Sequence, residues 1–476
     1  MPADIQHVVV LMLENRSFDC MLGRLYPDDP DYNGLTLNES NTYANTPIGV
    51  WSADGMPPSI ACTPKPDPGE SFVDMNEQLF GPGGVRTQDP PPMSGFAANY
   101  AAQPPSEDGP FAPRNAVHFF TPEQVPVIST LAKAFGVSDQ WHASAPCQTW
   151  PNRFFAHTGT ARGHVDNHTF QVPFPAESIF HRLQKAGKSW RVYFHDMPHS
   201  MLLGDIWLYA LFHFRGFNQF LADAHTGNLP NYSFIEPRYF SDLFLNRTPN
   251  DEHPPHNVIY GEQLIAQVYN AVRSSPCWKN TLLIITYDEH GGCYDHVPPP
   301  AATSPDRLIN NPYNYTFDSY GVRVPAVIVS PYIPPGSKIR PQPNEDGNTY
   351  PFDHTSIIAT VRKLFTPNDP QLTDRDGVAP NLLSALSLAV PTNDGPPSID
   401  PSLIQPLPAE VQDRADAAPN GMQTSLSAAA ATLPDTAPAT LDAITAPTAL
   451  PPVQYPTVAI AHANTTASTN RFLGLA

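Results

Sequence analysis

Two acids stand side by side at Asp288-Glu289, directly after the apolar run Leu282-Leu283-Ile284-Ile285-Thr286-Tyr287, and His290-Gly291-Gly292 and Tyr294-Asp295-His296 follow them. A second apolar run, from His7 to Leu13, ends in the same manner, in Glu14-Asn15-Arg16-Ser17-Phe18-Asp19. Carboxylates and an amide oxygen are the donors that a hard cation selects, and neither group offers sulfur. Acids after a strand more often do nothing but solvate a loop. Here two runs far apart in sequence deliver them, which points to a metal or phosphoryl site. Thr149 lies in Ala145-Pro146-Cys147-Gln148-Thr149-Trp150-Pro151, a short turn before an aromatic-rich helix. Its hydroxyl either caps that helix or stands exposed beside the helix N-terminus, where anions bind. Ser17 and Asp19 serve equally well as caps of a helix over residues 18–25.

The elements that must position these residues are strands. Unbroken apolar runs read as buried parallel strands, and in open α/β sheets ligands sit beyond the carboxyl ends of the strands. Strands are expected near residues 7–13, 190–195, 282–287 and 324–330 of a mostly parallel sheet. Helices are expected over 121–135, with Thr121 as cap, Pro122 first and Gly136 as stop. Others are expected over 178–186, 261–273 and 353–365. The apolar stretch 201–221 reads as a core helix or a lid flanking the site. Residues 27–114 show no sustained periodicity and read as an irregular insertion wrapping the core near the site. The expected division is a catalytic domain over 1–395 and a Pro/Ala-rich, low-complexity tail over 396–476, weakly structured apart from one short helix near 408–418.

The chain has 476 residues, 58 prolines, 27 glycines and a net charge of −19 with only 26 Lys and Arg. Such a charge argues against nucleic acid as a partner and against passive adsorption to anionic membranes. A metal can still bring phosphate to an acidic protein. The five cysteines are widely spaced with no CxxC, so buried free thiols are expected rather than a zinc ribbon or a disulfide framework. No apolar run is long enough to span a membrane, and no N-terminal signal is evident. The expected location is the cytoplasm, or outside by a route that needs no N-terminal signal.

Taken together, Glu14-Asn15-Arg16-Ser17-Phe18-Asp19, Thr149-Trp150-Pro151-Asn152-Arg153, His253-Pro254-Pro255, Tyr287-Asp288-Glu289-His290-Gly291-Gly292 and Asp353-His354-Thr355-Ser356 resemble the bacterial phosphoesterase family. That family contains non-specific phospholipases C and a class of acid phosphatases. The resemblance runs in order from about residue 5 to 365 and implies an alkaline-phosphatase-like α/β/α sandwich. It implies a phosphate-ester hydrolase, phospholipase C-like, with Thr149 as nucleophile and a phosphothreonyl intermediate. It further implies one divalent metal ion of unknown identity on Glu14, Asn15, Thr149, Asp288 and Glu289, with His253 facing the phosphoryl group. The substrate is then a phosphate ester, with phospholipid at a membrane surface as a candidate. Two other readings stand beside it: an acid phosphatase acting on monoesters, and a silent relative serving as a binding or effector module. The family often has Gly-Pro just before the nucleophile, where this chain has Cys147-Gln148. His118 and His195 fall where some members carry site histidines.

Overall fold

The strand-forming runs meet at the middle of one sheet. In this computed structural model, which describes residues 4–86, 88–344, 347–400, 408–444 and 446–475, eight strands form it. In chain order they are His7–Leu13 (β1), Gly136–Val137 (β2), Trp190–Phe194 (β3), Phe214–Gly216 (β4), Tyr232–Glu236 (β5), Thr281–Tyr287 (β6), Ala326–Val329 (β7) and Ser337–Lys338 (β8). Their spatial order is β8-β2-β7-β6-β1-β5-β3-β4. Every pairing is parallel except those of β7, which runs against both β6 and β2. The register pairs Leu13 with Tyr287, so Glu14 and Asp288 emerge together past the ends of neighbouring strands.

Two groups of helices pack this sheet. Val258–Ser274 contacts Pro126–Ala134 and Phe217–Thr226, while Thr355–Phe365 contacts Thr149–Thr158 and Ile179–Lys185. Val258–Ser274 shows why such a helix forms: Leu264, Ile265, Val268 and Val272 recur at helical spacing and are buried on one face. The expected mostly parallel α/β/α architecture is thus present.

Several boundaries differ from expectation, each for a local reason. The helix expected from Thr121 begins at Pro126, because Val125, ahead of the proline, is kept out of the helical region at φ −122° and ψ 67°. The Thr121 N–H goes instead to Gln124 Oε1 at 2.8 Å. That helix is capped from a distance: the Glu262 carboxylate accepts the Val127 and Ile128 N–H groups at 2.6 and 3.0 Å. Gly136 is no helix stop but the start of β2, where a Cβ would lie 2.5 Å from Ile339. The stretch 201–221 is broken into short 3-10 turns, the one-turn helix Ala210–His213, β4 and the start of the Phe217–Thr226 helix.

The insertion over 27–114 has local order, with a hairpin (Ser40–Tyr43 and Thr46–Gly49) and the helices Phe72–Phe80 and Phe96–Ala102. Ser71 and Asp74 form a reciprocal capping box on the first of these. The segment expected to be weakly structured also needs correction. Besides Pro408–Asp416, it forms Gly421–Ala430 and Val458–Phe472, and Met422, Leu426, Val458 and Phe472 join the main core. Alanines and serines let these helices approach closely, and few large side chains then suffice to hold them. Trp150 Nε1 lies 3.1 Å from Met422 Sδ, and Phe472 meets Trp207 edge-on at 5.3 Å. Residues 1–3 and 401–407, on which part of the terminal readings fell, lie outside the described residues.

Candidate active site

Glu14 and Asn15 leave β1, Asp288 and Glu289 leave β6, and all four are fully buried. Asn15 takes a left-handed backbone, φ 57°, costly for a non-glycine residue and characteristic of functional turns. Its N–H donates to Asp288 Oδ1 at 3.0 Å, and the Glu289 N–H donates to the same oxygen at 2.7 Å. Gly291 closes the other side at φ 57°; a Cβ there would lie 2.2 Å from the Asn15 carbonyl oxygen, so only glycine fits. The Asp288 carbonyl meets His354 Nε2 at 2.5 Å, which ties the turn to the start of the Thr355–Phe365 helix.

Thr149 is the first residue of its helix, and its side chain caps nothing. Its hydroxyl lies 3.3 Å from both Glu14 Oε2 and Asn15 Oδ1. The loop before it is held by Asn152, which accepts the Ala145 N–H at 3.1 Å and donates to the Cys147 carbonyl at 2.8 Å. Gln148, at the position of the departure from the family pattern, accepts the Asn167 N–H at 2.9 Å and braces the neighbouring loop. One helical turn on, Arg153 shares the face of Thr149. It ion-pairs with Glu14, with Asp288 at 3.4 Å and with Glu236, at the end of β5, at 3.8 Å.

His253 completes the group. Glu70 Oε1 accepts from Asn15 Nδ2 at 2.6 Å and lies 3.4 Å from His253 Nε2, so one carboxylate joins the two. Asp67 lies 3.7 Å from His253 Nδ1, and the His253 N–H donates to Asp251 at 3.3 Å. Burial alone would lower the His253 pKa; Glu70 and Asp67 outweigh it and hold the ring well above its ordinary value. Burial raises Glu14 well above the usual carboxylate range despite Arg153, and raises Glu289 with Glu70 and Asp288 adding to the effect.

These buried acids outnumber their cations, and Asp288 Oδ2 and Glu289 Oε1 have no hydrogen-bond partner among the described residues. Asp288 Oδ2 keeps only the Arg153 ion pair, and Glu289 Oε1 is free among the described residues. Beside an amide oxygen and a hydroxyl, such buried carboxylates are a donor set suited to a hard divalent cation. The geometry therefore joins Glu14, Asn15, Thr149 and Asp288 directly, sets Glu289 next to Asp288, and places His253 one carboxylate away.

Sequence reasoning missed Asp67, Glu70, Arg153 and Glu236. Arg153 carried a signal, its i+4 spacing from Thr149. Asp67 and Glu70 carried none, since only the path of the insertion brings them in. Other expected residues lie elsewhere. His118 packs edge-on against Trp51 and Phe120, 4.8 Å from each, and its ring nitrogens have no hydrogen-bond partner among the described residues. His195 stacks on Phe217 at 4.4 Å in a separate cavity. Asp295 and His296 join Asp19, and Arg323 bridges Asp19 and Asp295 at 3.0 Å each, so this cluster already holds its cation. Ser17, not Asp19, caps the short Phe18–Leu22 helix by accepting from the Cys20 N–H. All five cysteines are free, and four of them are buried.

The family model described as "Phosphoesterase family" matches residues 5–366. Non-specific phospholipase C1 of Arabidopsis thaliana is 40% identical over 388 residues, covering 79% of this chain and 69% of that protein. Non-specific phospholipase C3 of the same plant is 36% identical over 403 residues, covering 82% and 75%. Phospholipase C A of Mycobacterium tuberculosis is 29% identical over 458 residues, covering 85% and 81%. Among solved structures, a Vibrio parahaemolyticus protein of the alkaline phosphatase superfamily aligns at a TM-score of 0.30 and 10% identity, covering 54% of this chain and 63% of that one.

Proposed function

The chain belongs to the phosphoesterase family, and from that premise we propose that it is a metal-dependent hydrolase of phosphate esters, phospholipase C-like, acting through Thr149. The observation that carries this reading is the Thr149 hydroxyl, buried and aimed at Glu14 and Asn15 at 3.3 Å rather than at a backbone amide of its own helix. A threonine with only a capping role would bond its own first turn.

Glu14, Asn15, Asp288 and Glu289, with the Thr149 oxygen, would hold one divalent cation. When bound, it would cancel phosphoryl charge and make the threonine hydroxyl easier to ionise. The Thr149 oxygen bonds to phosphorus as the bond to the leaving alcohol breaks, and its proton departs on the Glu14 side. His253, whose pKa Glu70 and Asp67 hold above its ordinary value against burial, gives its proton to the leaving oxygen, a role typically worth about 10²–10⁴-fold. In the second step the oxygen of a water bonds to phosphorus as His253 takes its proton, the bond to the Thr149 oxygen breaks, and that oxygen regains the proton held on the Glu14 side. Arg153 keeps Glu14 and Asp288 in place by ion pairing.

The test is turnover of p-nitrophenyl phosphorylcholine, a diester, and p-nitrophenyl phosphate, a monoester, by EDTA-treated protein before and after adding Mg2+, Mn2+, Ca2+ or Zn2+. The reading expects diester turnover restored by at least one metal. Monoester turnover alone would favour the phosphatase reading. No turnover with any metal would overturn hydrolysis and leave a binding module.

A further inference from the structure

Loop 242–247 is closed by backbone bonds between Asp242 and Arg247 at 2.8 and 3.0 Å. Asp242 Oδ1 accepts the Phe244 and Leu245 N–H groups at 2.9 and 3.0 Å. The turn is braced, yet it presents Leu243, Phe244 and Leu245 to solvent at 44%, 97% and 55% exposure. Three consecutive large apolar side chains on a rigid exposed turn lose hydration free energy unless something covers them.

The same loop borders a cavity of about 580 Å³, to which Leu245, Arg247, Arg238, His195 and Asn250 contribute. Arg238 donates to the Thr248 carbonyl at 3.0 Å. Among the described residues neither Arg238 nor Arg247 forms an ion pair, and burial draws Arg238 down to about 10. Gly216 and Phe217 also line the cavity, where a ten-residue helix begins without a side-chain cap. Unpaired guanidinium groups and free helix amides are both donors to a phosphate-type anion. Their grouping stands out in a chain of net charge −19. The cavity opens past the ends of β3 and β4, on the sheet edge that also carries Glu14 and Asp288.

We propose that loop 242–247 docks the protein on a phospholipid surface, with Leu243, Phe244 and Leu245 entering the acyl region and the Arg238–Arg247 cavity taking a lipid phosphate. The occupant follows from the pairing: an apolar tip beside a cation-lined cavity matches an amphiphile with an apolar tail and a phosphate head. The overall negative charge gives no general attraction to such a surface, so docking must come from local contacts of this kind. The choice of lipid rests on the phospholipase reading, but docking itself does not require turnover.

The full chain is mixed with phosphatidylcholine vesicles, sedimented, and compared with the triple variant Leu243→Ser, Phe244→Ser, Leu245→Ser and with the double variant Arg238→Gln, Arg247→Gln. The triple variant is expected to lose bound protein at least tenfold and the double variant severalfold. Turnover of soluble p-nitrophenyl phosphorylcholine and the melting temperature report that the remainder of each variant is intact. Vesicle binding equal to the parent in the triple variant overturns the proposal, as does a parent that does not bind. A parent that is dimeric where the triple variant is monomeric, without vesicle binding, assigns the loop to self-association instead. A double variant that binds as the parent does removes the lipid phosphate from the cavity and overturns that half. Failure of soluble turnover with vesicle binding retained would count against the hydrolase reading and leave the docking surface standing.

Discussion

Arg153 shows how much of the site is held by a residue outside the expected donor set. It is fully buried among Glu14, Asp288 and Glu236. Removing one partner of such a group leaves uncompensated charge, at a cost of roughly 3–5 kcal/mol. Arg153→Met should therefore lower stability by about that much in urea unfolding; a loss below ~1 kcal/mol would show that the acids do not depend on it. Asp288→Asn tests the cation set, because Asp288 Oδ2 has no hydrogen-bond partner among the described residues and only the Arg153 ion pair holds it. Equilibrium dialysis should show weakened divalent binding together with lowered turnover, and retained metal at unchanged turnover would refute the assignment. At this scale the sequence was informative where a motif was continuous. Glu14-Asn15 and Asp288-Glu289 could be read because each follows a strand by one residue. Glu70 could not, because its place beside Asn15 and His253 depends on the course of a proline-rich insertion.

Elements set the positions of these residues through two tight turns. Gly291 sits at φ 57° against the Asn15 carbonyl, and Asn15 itself is left-handed. Gly291→Ala should cost roughly 1–3 kcal/mol through backbone strain and crowding. It should also depress turnover more than a remote change of equal destabilisation; activity equal to the parent's in the folded fraction would contradict this coupling. The strands β1 and β6 were legible because long apolar runs admit little else. β5, which pairs with β1 on the side away from β6, was missed. It has five residues, Tyr232–Glu236, with the polar Ser233 second and Glu236 last, and Pro230 lies two residues before it. β2 and β8 have two residues each, and no periodicity can be read from two positions. The tail helices were missed for the opposite reason: alanine- and serine-rich composition reads as low complexity until a partner surface is available.

Across the whole molecule, stability and activity should respond differently to acid. His118 is buried between Trp51 and Phe120, and burial, with Arg16 and Arg114 nearby, lowers it from 6.5 to about 3. Between those values the unfolded chain binds a proton that the folded chain does not. The contribution is therefore fully present above the ordinary value and is lost as the pH falls towards 3. His118→Phe should remove about 2 kcal/mol of the stability difference between about pH 7 and pH 5, measured as the change in unfolding free energy relative to the parent. An identical pH dependence in both proteins would show that His118 gains a proton without penalty.

The central claim is that Thr149 attacks phosphorus, and it is tested most directly by turnover of Thr149→Ala and Thr149→Ser under the metal that supports the parent. The account predicts that alanine lowers the rate by at least roughly 10³-fold while melting temperature and metal content stay near the parent's, and that serine, which keeps the hydroxyl, retains a measurable fraction. A well-folded, metal-loaded Thr149→Ala protein that turns over the diester at near the parent rate would contradict it and leave water as the attacking group.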